Sequence, residues 1–146
     1  MKDVRAVPLE GINRPVDALR QLVRVRFAEC LEKQEALMGS DDDAMHRFRL
    51  ACKRLRFAIE REPESEAGLK PAAELLSRIT DQLGCAHDCV VLARRAQDCG
   101  AQGAVNLAMR DRARCLRAAR ELWQRGFKSN GPFESVAAFT GFHWTA

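Results

Sequence analysis

The sequence predicts an all-α fold, an antiparallel four-helix bundle, on three observations. Tyr is absent and Phe and Trp number only 7 and 2, while Ala, Leu and Arg are abundant, a composition that favours helix over sheet. Apolar residues recur at helical intervals through long segments. Proline, glycine and acidic clusters fall between those segments, where helices stop. A chain of 146 residues is one domain by length and can bury one core.

The first helix is expected from Pro15, a good first-turn residue, to Met38, with Gly39 as its stop. Leu19, Val23, Phe27, Cys30 and Leu31 form its apolar stripe, with Arg20 and Arg24 one turn apart beside it. The second helix is expected after Ser40. Ser40 to Asp43 approximates a capping box, and Asp41, Asp42 and Asp43 suit the positive end of the helix dipole. It ends before Pro63, in the acidic run Glu62-Pro63-Glu64-Ser65-Glu66. The third starts at Pro71, carries Leu75, Leu76, Ile79, Leu83, Ala86, Val90 and Ala93 inward, and stops near Gly100. The fourth runs from about Ala104 to Arg125, with Val105, Met109, Leu116, Ala119 and Trp123 inward and Gly126 as its end. Short loops make neighbouring helices antiparallel. The chain thus divides into a leader (1–14), a helical domain (15–128) and an apolar tail (129–146) with Phe133, Val136, Phe139, Phe142 and Trp144.

The second helix holds the most informative pattern. His46, Arg49, Lys53 and Arg56 stand at i, i+3, i+7 and i+10 and span about 80° of the helix circumference. Met45, Phe48, Cys52, Leu55 and Ile59 fill one flank, and Leu50 and Phe57 the other. A solvated face has polar neighbours; a basic stripe with apolar margins is partly buried, and cations held together there need an anion. Arg47, Arg54 and Arg61 form a second stripe without an apolar far border, read as solvated surface.

The net charge is +4, but its distribution is uneven. Arg110, Arg112, Arg114, Arg117, Arg120, Arg125 and Lys128 face only Asp111 and Glu121 within their stretch. This points to an acidic partner: nucleic acid, an acidic membrane surface or a phosphate polymer. No segment resembles a signal peptide and no apolar run reaches the roughly 20 residues that span a bilayer, so a cytoplasmic protein without membrane insertion is expected. Its six cysteines then read as reduced thiols.

The run from His46 to Arg56 resembles the signature of the CHAD family, the conserved-histidine α-helical domain. Leu83-Gly84-Cys85-Ala86-His87-Asp88 is similar to that family's Leu-Gly-x-x-Arg-Asp motif, and the Arg-rich helix from Arg110 fits as well. The resemblance spans roughly Pro15 to Phe133. It implies a helical module that binds inorganic polyphosphate through a basic surface, is not a catalyst, and can associate with polyphosphate granules. On this resemblance His46, Arg49, Lys53 and Arg56 match the signature, and Arg20 and Arg24 match basic positions of the preceding helix. Three departures stand out. The chain is long enough for one four-helix repeat where the family usually has two. His87 replaces an arginine, and Val90 stands where a second Asp is common.

A polyphosphate offers charge and oxygen acceptors and no bases. Arginine forks and lysine charges one helical turn apart suit such a chain. Other chemistry is weaker. Cys85 and Cys89 lie one turn apart, but His87 points about 160° away and a fourth ligand is missing, so no metal is expected and the two read as core cysteines. Asp88 could orient an arginine of the stripe. Neither a Gly-rich phosphate loop, nor Gly-x-Ser-x-Gly, nor paired carboxylates beside a histidine occurs, so neither an enzyme nor a cofactor is expected. The rival readings are a nucleic-acid-binding module, with Phe48 and Phe57 as candidate stacking platforms, and a structural module that docks a partner through its tail. The aromatic tail and the single repeat together point to a homodimer.

Overall fold

The computed structural model describes residues 4–61 and 68–144. The acidic run from Glu62 to Glu66 lies outside them. Among the described residues the chain is all-α, with five α-helices and no strand: α1 (Pro15–Lys33), α2 (Asp42–Ile59), α3 (Lys70–Asp98), α4 (Gln102–Gly126) and α5 (Pro132–Thr140). None is long and apolar enough to cross a membrane.

Helices adjacent in sequence pack side by side. The partners of α2 on α3 run backwards as α2 runs forwards, Arg49 meeting Thr80 and Arg56 meeting Ser77, so these two are antiparallel. Asp42 and Phe48 of α2 meet Arg112 and Trp123 of α4 in the same order, so α2 and α4 run the same way. The predicted stripe of α3 is buried throughout, from Leu75 to Ala93.

Several local expectations are corrected. The first helix does not continue to Met38. Gln34–Met38 tightens into a 3₁₀ turn. Two bonds from α4 hold that turn: Trp123 Nε1 donates to Gln34 Oε1 at 3.0 Å, and the Arg120 guanidinium donates to the Leu37 carbonyl. The cap of α2 is Asp41, not Ser40. Its Oδ1 accepts from the amides of Asp43 (2.9 Å) and Ala44 (3.3 Å), which a carboxylate does more strongly than a hydroxyl.

Met109 is exposed, not inward; Ala108 takes the buried position. Ala93 and Ala96 of α3 and Ala108 of α4 are likewise buried alanines, on two helices that pack extensively together. Cys85 is exposed and Cys89 half-buried, because Leu83, Ala86 and Val90 take the inward line and the two thiols lie beside it. Arg54 is not fully solvated. It is half-buried and its Nη1 is enclosed without a hydrogen-bond partner. Its charge acts on Cys30 of α1: burial pushes that thiol up, contact with Cys52 adds to the shift, and Arg54 opposes it.

The leader is tied down by a carboxylate that is 1% exposed. Glu29 Oε1 accepts the Arg5 amide at 2.8 Å, and Oε2 accepts from Arg26 Nη1 at 3.0 Å.

The apolar tail is α5, and it folds back on the bundle. Phe133 and Val136 are fully buried. The Phe133 ring lies 5.4 Å from Phe27, 5.1 Å from Trp123 and 5.0 Å from Phe127, with Phe142 and Trp144 edge-on to Phe27. Among the described residues the aromatic side chains of the tail pack on the helices, Phe139, Phe142 and Trp144 partly buried, which removes one of the two grounds for a homodimer and leaves the single repeat.

Candidate anion-binding site

The basic stripe of α2 lies along its junction with α3. Arg49, Lys53 and Arg56 are half-buried beside the buried flank of Met45, Phe48, Cys52, Leu55 and Ile59, while His46 and, on the other border, Phe57 are exposed. Arg49 Nε donates to the Thr80 carbonyl at 3.2 Å. Its guanidinium packs against Gly84: a Cβ there would sit 3.1 Å from Nη2 and 3.5 Å from Cζ. The two sequence motifs thus meet, since the glycine of Leu83-Gly84 makes room for the arginine of the His46 signature. Arg56 Nη1 donates to Ser77 Oγ at 3.1 Å, and its guanidinium stacks 4.9 Å from the centre of the Phe57 ring. Its Nε is 3.5 Å from Glu60 Oε1, close enough for charge attraction but without hydrogen-bond geometry, so that nitrogen stays enclosed without a hydrogen-bond partner.

At the other end of the stripe a narrow cleft opens between α2, α3 and α4. It is lined by Asp42, Met45, His46, Arg49, Leu83, Ala86, His87 and Arg112. Its volume of about 20 Å³ holds roughly one water, so an anion would lie across the mouth. Arg112, with its side chain 13% exposed, donates from Nη2 to Asp42 Oδ1 at 2.9 Å. That ion pair fixes the guanidinium beside His46. His87, from the downstream motif on α3, lines this same cleft. Across Arg49 lies a shallower groove of Asp81, Gly84, Cys85, Asp88, Cys89 and Leu92. That groove holds two carboxylates, whereas the one carboxylate of the cleft, Asp42, is paired with Arg112, so the cleft repels anions less.

The structure brings together His46 and Arg49 at the cleft, with Lys53 and Arg56 further along the same helix. It does not bring Arg20 to them. Arg20 Nε donates to the Phe139 carbonyl at 2.8 Å and Nη1 to Asp17 Oδ1 at 2.8 Å, with the Phe139 ring 5.4 Å away. Those bonds place it at the α1–α5 junction, fastening the tail. Arg24 is exposed on α1. Asp88 lines the far groove with Arg49, and among the described residues no ion pair joins them. Sequence reasoning missed Arg112, one arginine in a stretch crowded with them; the only signal was an unclaimed acid, Asp42, at the start of α2. Among the described residues no group of three or more His, Cys, Asp or Glu is arranged to hold a metal.

A helical domain whose signature helix and downstream motif join around one cation-lined cleft defines the class of protein. A family model described as the CHAD domain matches residues 3–97 of the 146, and the chain belongs to the CHAD family. The match covers α1, α2 and nearly all of α3; Arg112 lies beyond it. CHAD domains in general are linked with polyphosphate-related proteins. Neither the curated proteins nor the solved structures provide a match.

Proposed function

We propose that this chain binds inorganic polyphosphate, or a similar phosphate-rich polyanion, without catalysing its turnover. The observation that carries the reading is the convergence of His46, Arg49, His87 and Arg112 from three helices on one cleft, continued by Lys53 and Arg56. Cations about one helical turn apart match a flexible chain of phosphates, and arginine forks suit its oxygens. Recruitment to polyphosphate granules would follow from such binding. Titration calorimetry with polyphosphate of defined lengths tests the reading, with RNA as competitor. Polyphosphate is expected to bind, RNA to compete poorly, and affinity to fall by roughly 50-fold between about 50 and 200 mM salt, for about four phosphate contacts. Binding that ignores salt would refute the reading.

A second reading, nucleic-acid binding, draws on one observation. Phe57 is 51% exposed with the Arg56 guanidinium over its ring, a small stacking platform. Phe48, the other candidate platform, is fully buried and cannot stack on a base. RNA displacing polyphosphate at equal phosphate concentration would favour this reading.

The two imidazoles at the cleft supply a pH test. A protonated imidazole here would add positive charge beside Arg49 and Arg112 and strengthen anion binding. Affinity is expected to rise several-fold from about pH 8 to about pH 6. The double variant His46→Gln, His87→Gln should flatten that rise. A parent affinity that does not change with pH removes both histidines from a cationic role.

A further inference from the structure

Cys85 of α3 and Cys115 of α4 stand apart from the anion cleft. The Cys115 thiol donates to Cys85 Sγ with the sulfurs 2.7 Å apart, across the α3–α4 junction and 30 residues apart in sequence. Cys115 is buried; Cys85 is exposed and lines the open groove with Cys89 and Arg49. Two sulfurs at this separation are inside ordinary non-bonded contact and about 0.7 Å from a disulfide bond length. A reagent reaches one sulfur from water, and its partner waits behind it in the core.

We infer that Cys85 and Cys115 form a reversible oxidation site for small hydroperoxides, with Cys85 as the attacking sulfur and Cys115 as the resolving one. Cys85 Sγ attacks the terminal oxygen of the peroxide, the O–O bond breaks, and water or an alcohol leaves. Cys85 becomes a sulfenic acid. Cys115 Sγ then displaces hydroxide from that sulfur, and its own proton leaves with the hydroxide as water. The two thiols lose two electrons in all, and the peroxide bond takes them up; an external dithiol reverses the step.

The surroundings assign the two roles. Burial, then the bond to Cys85 and the nearby Cys85 and Cys89 charges, push the Cys115 thiol up to about 12, with Arg114 opposing. Cys115 therefore keeps its proton at neutral pH and cannot be the first to react. Cys89, the third thiol, is held up by burial first, then by the Cys85 charge and hydrogen bond and by Asp111 and Asp88. It shares α3 with Cys85 one turn away, a spacing that suits a disulfide poorly, whereas Cys115 faces Cys85 from the opposing helix.

The site touches the anion-binding reading without depending on it. Cys85 follows Gly84, the seat of the Arg49 guanidinium, so the bond would pin α3 to α4 beside that arginine.

The test uses the full chain treated with hydrogen peroxide near pH 7.5, quenched with an alkylating reagent, digested and read by mass spectrometry. The expected product is a Cys85–Cys115 cross-linked peptide, with two thiols lost and regained on adding dithiothreitol. Cys85→Ser should abolish the cross-link and Cys89→Ser should leave it. Since Cys85 is exposed, its serine variant keeps the core intact. Cys115→Ser should instead leave a sulfenic acid on Cys85 that a dimedone-type probe labels. A Cys85–Cys89 cross-link, irreversible over-oxidation of Cys85 in the parent, or an unchanged thiol count would each overturn the assignment.

Discussion

Phe133→Ala is expected to lower the unfolding free energy by about 3–5 kcal/mol, the range for truncating a fully enclosed phenylalanine. The ring has no exposure and touches Phe27, Trp123 and Phe127 at centroid distances of 5.0 to 5.4 Å. Its place is reserved by Gly126: a Cβ there would fall 2.3 Å from Phe133 Cδ2 and Cε2. Without the ring, α5 keeps only Val136 as a fully buried apolar anchor, together with the Arg20 bond to the Phe139 carbonyl. Urea unfolding followed by circular dichroism measures the loss. A cost under about 1 kcal/mol would mean that the tail is not part of the core.

Gly84→Val is expected to retain the helices and to weaken polyphosphate binding at least tenfold, about 1.4 kcal/mol. Alanine at this position needs the Arg49 guanidinium to give by a few tenths of an ångström, since its Cβ would meet Nη2 at 3.1 Å. Such a tip can shift, and alanine also favours the helix, so Gly84→Ala should bind within about threefold of the parent. The two methyl groups of valine fill the space where the guanidinium lies. Arg49 must then leave Thr80 and swing away from His46. Calorimetry on the two variants decides. Equal affinity for parent and valine variant would show that the seat on Gly84 does not position Arg49 for the ligand.

The legible parts were those set by local periodicity. Leu75 through Ala93 keep a strict helical interval over many turns, and α3 follows it without exception. The His46, Arg49, Lys53 and Arg56 stripe is also a property of one helix, and the partial burial of Arg49, Lys53 and Arg56 was legible in it, while the exposure of His46 was not. The illegible parts depend on contacts between distant segments. Gln34–Met38 continues the apolar pattern of α1, and only its bonds to Trp123 and Arg120 reveal the tighter turn. Arg20 and Arg24 share a spacing, but Arg20 is drawn to a carbonyl 119 residues away. The tail's aromatic content was plain in the sequence; that it docks at home rests on the space left by Gly126. Arg112 could be told from its neighbours only through its pairing with Asp42, and Cys85 and Cys115 meet only because α3 folds back on α4.

The central claim is that the α2 stripe is where a phosphate polymer binds. The most direct measurement is calorimetric titration of the full chain and of the triple variant Arg49→Gln, Lys53→Gln, Arg56→Gln with polyphosphate at low salt. Glutamine keeps the helix propensity and much of the side-chain bulk and removes the three charges. The account predicts binding by the parent, none by the variant, and the same helical circular dichroism for both. A folded triple variant that binds polyphosphate as tightly as the parent would contradict it.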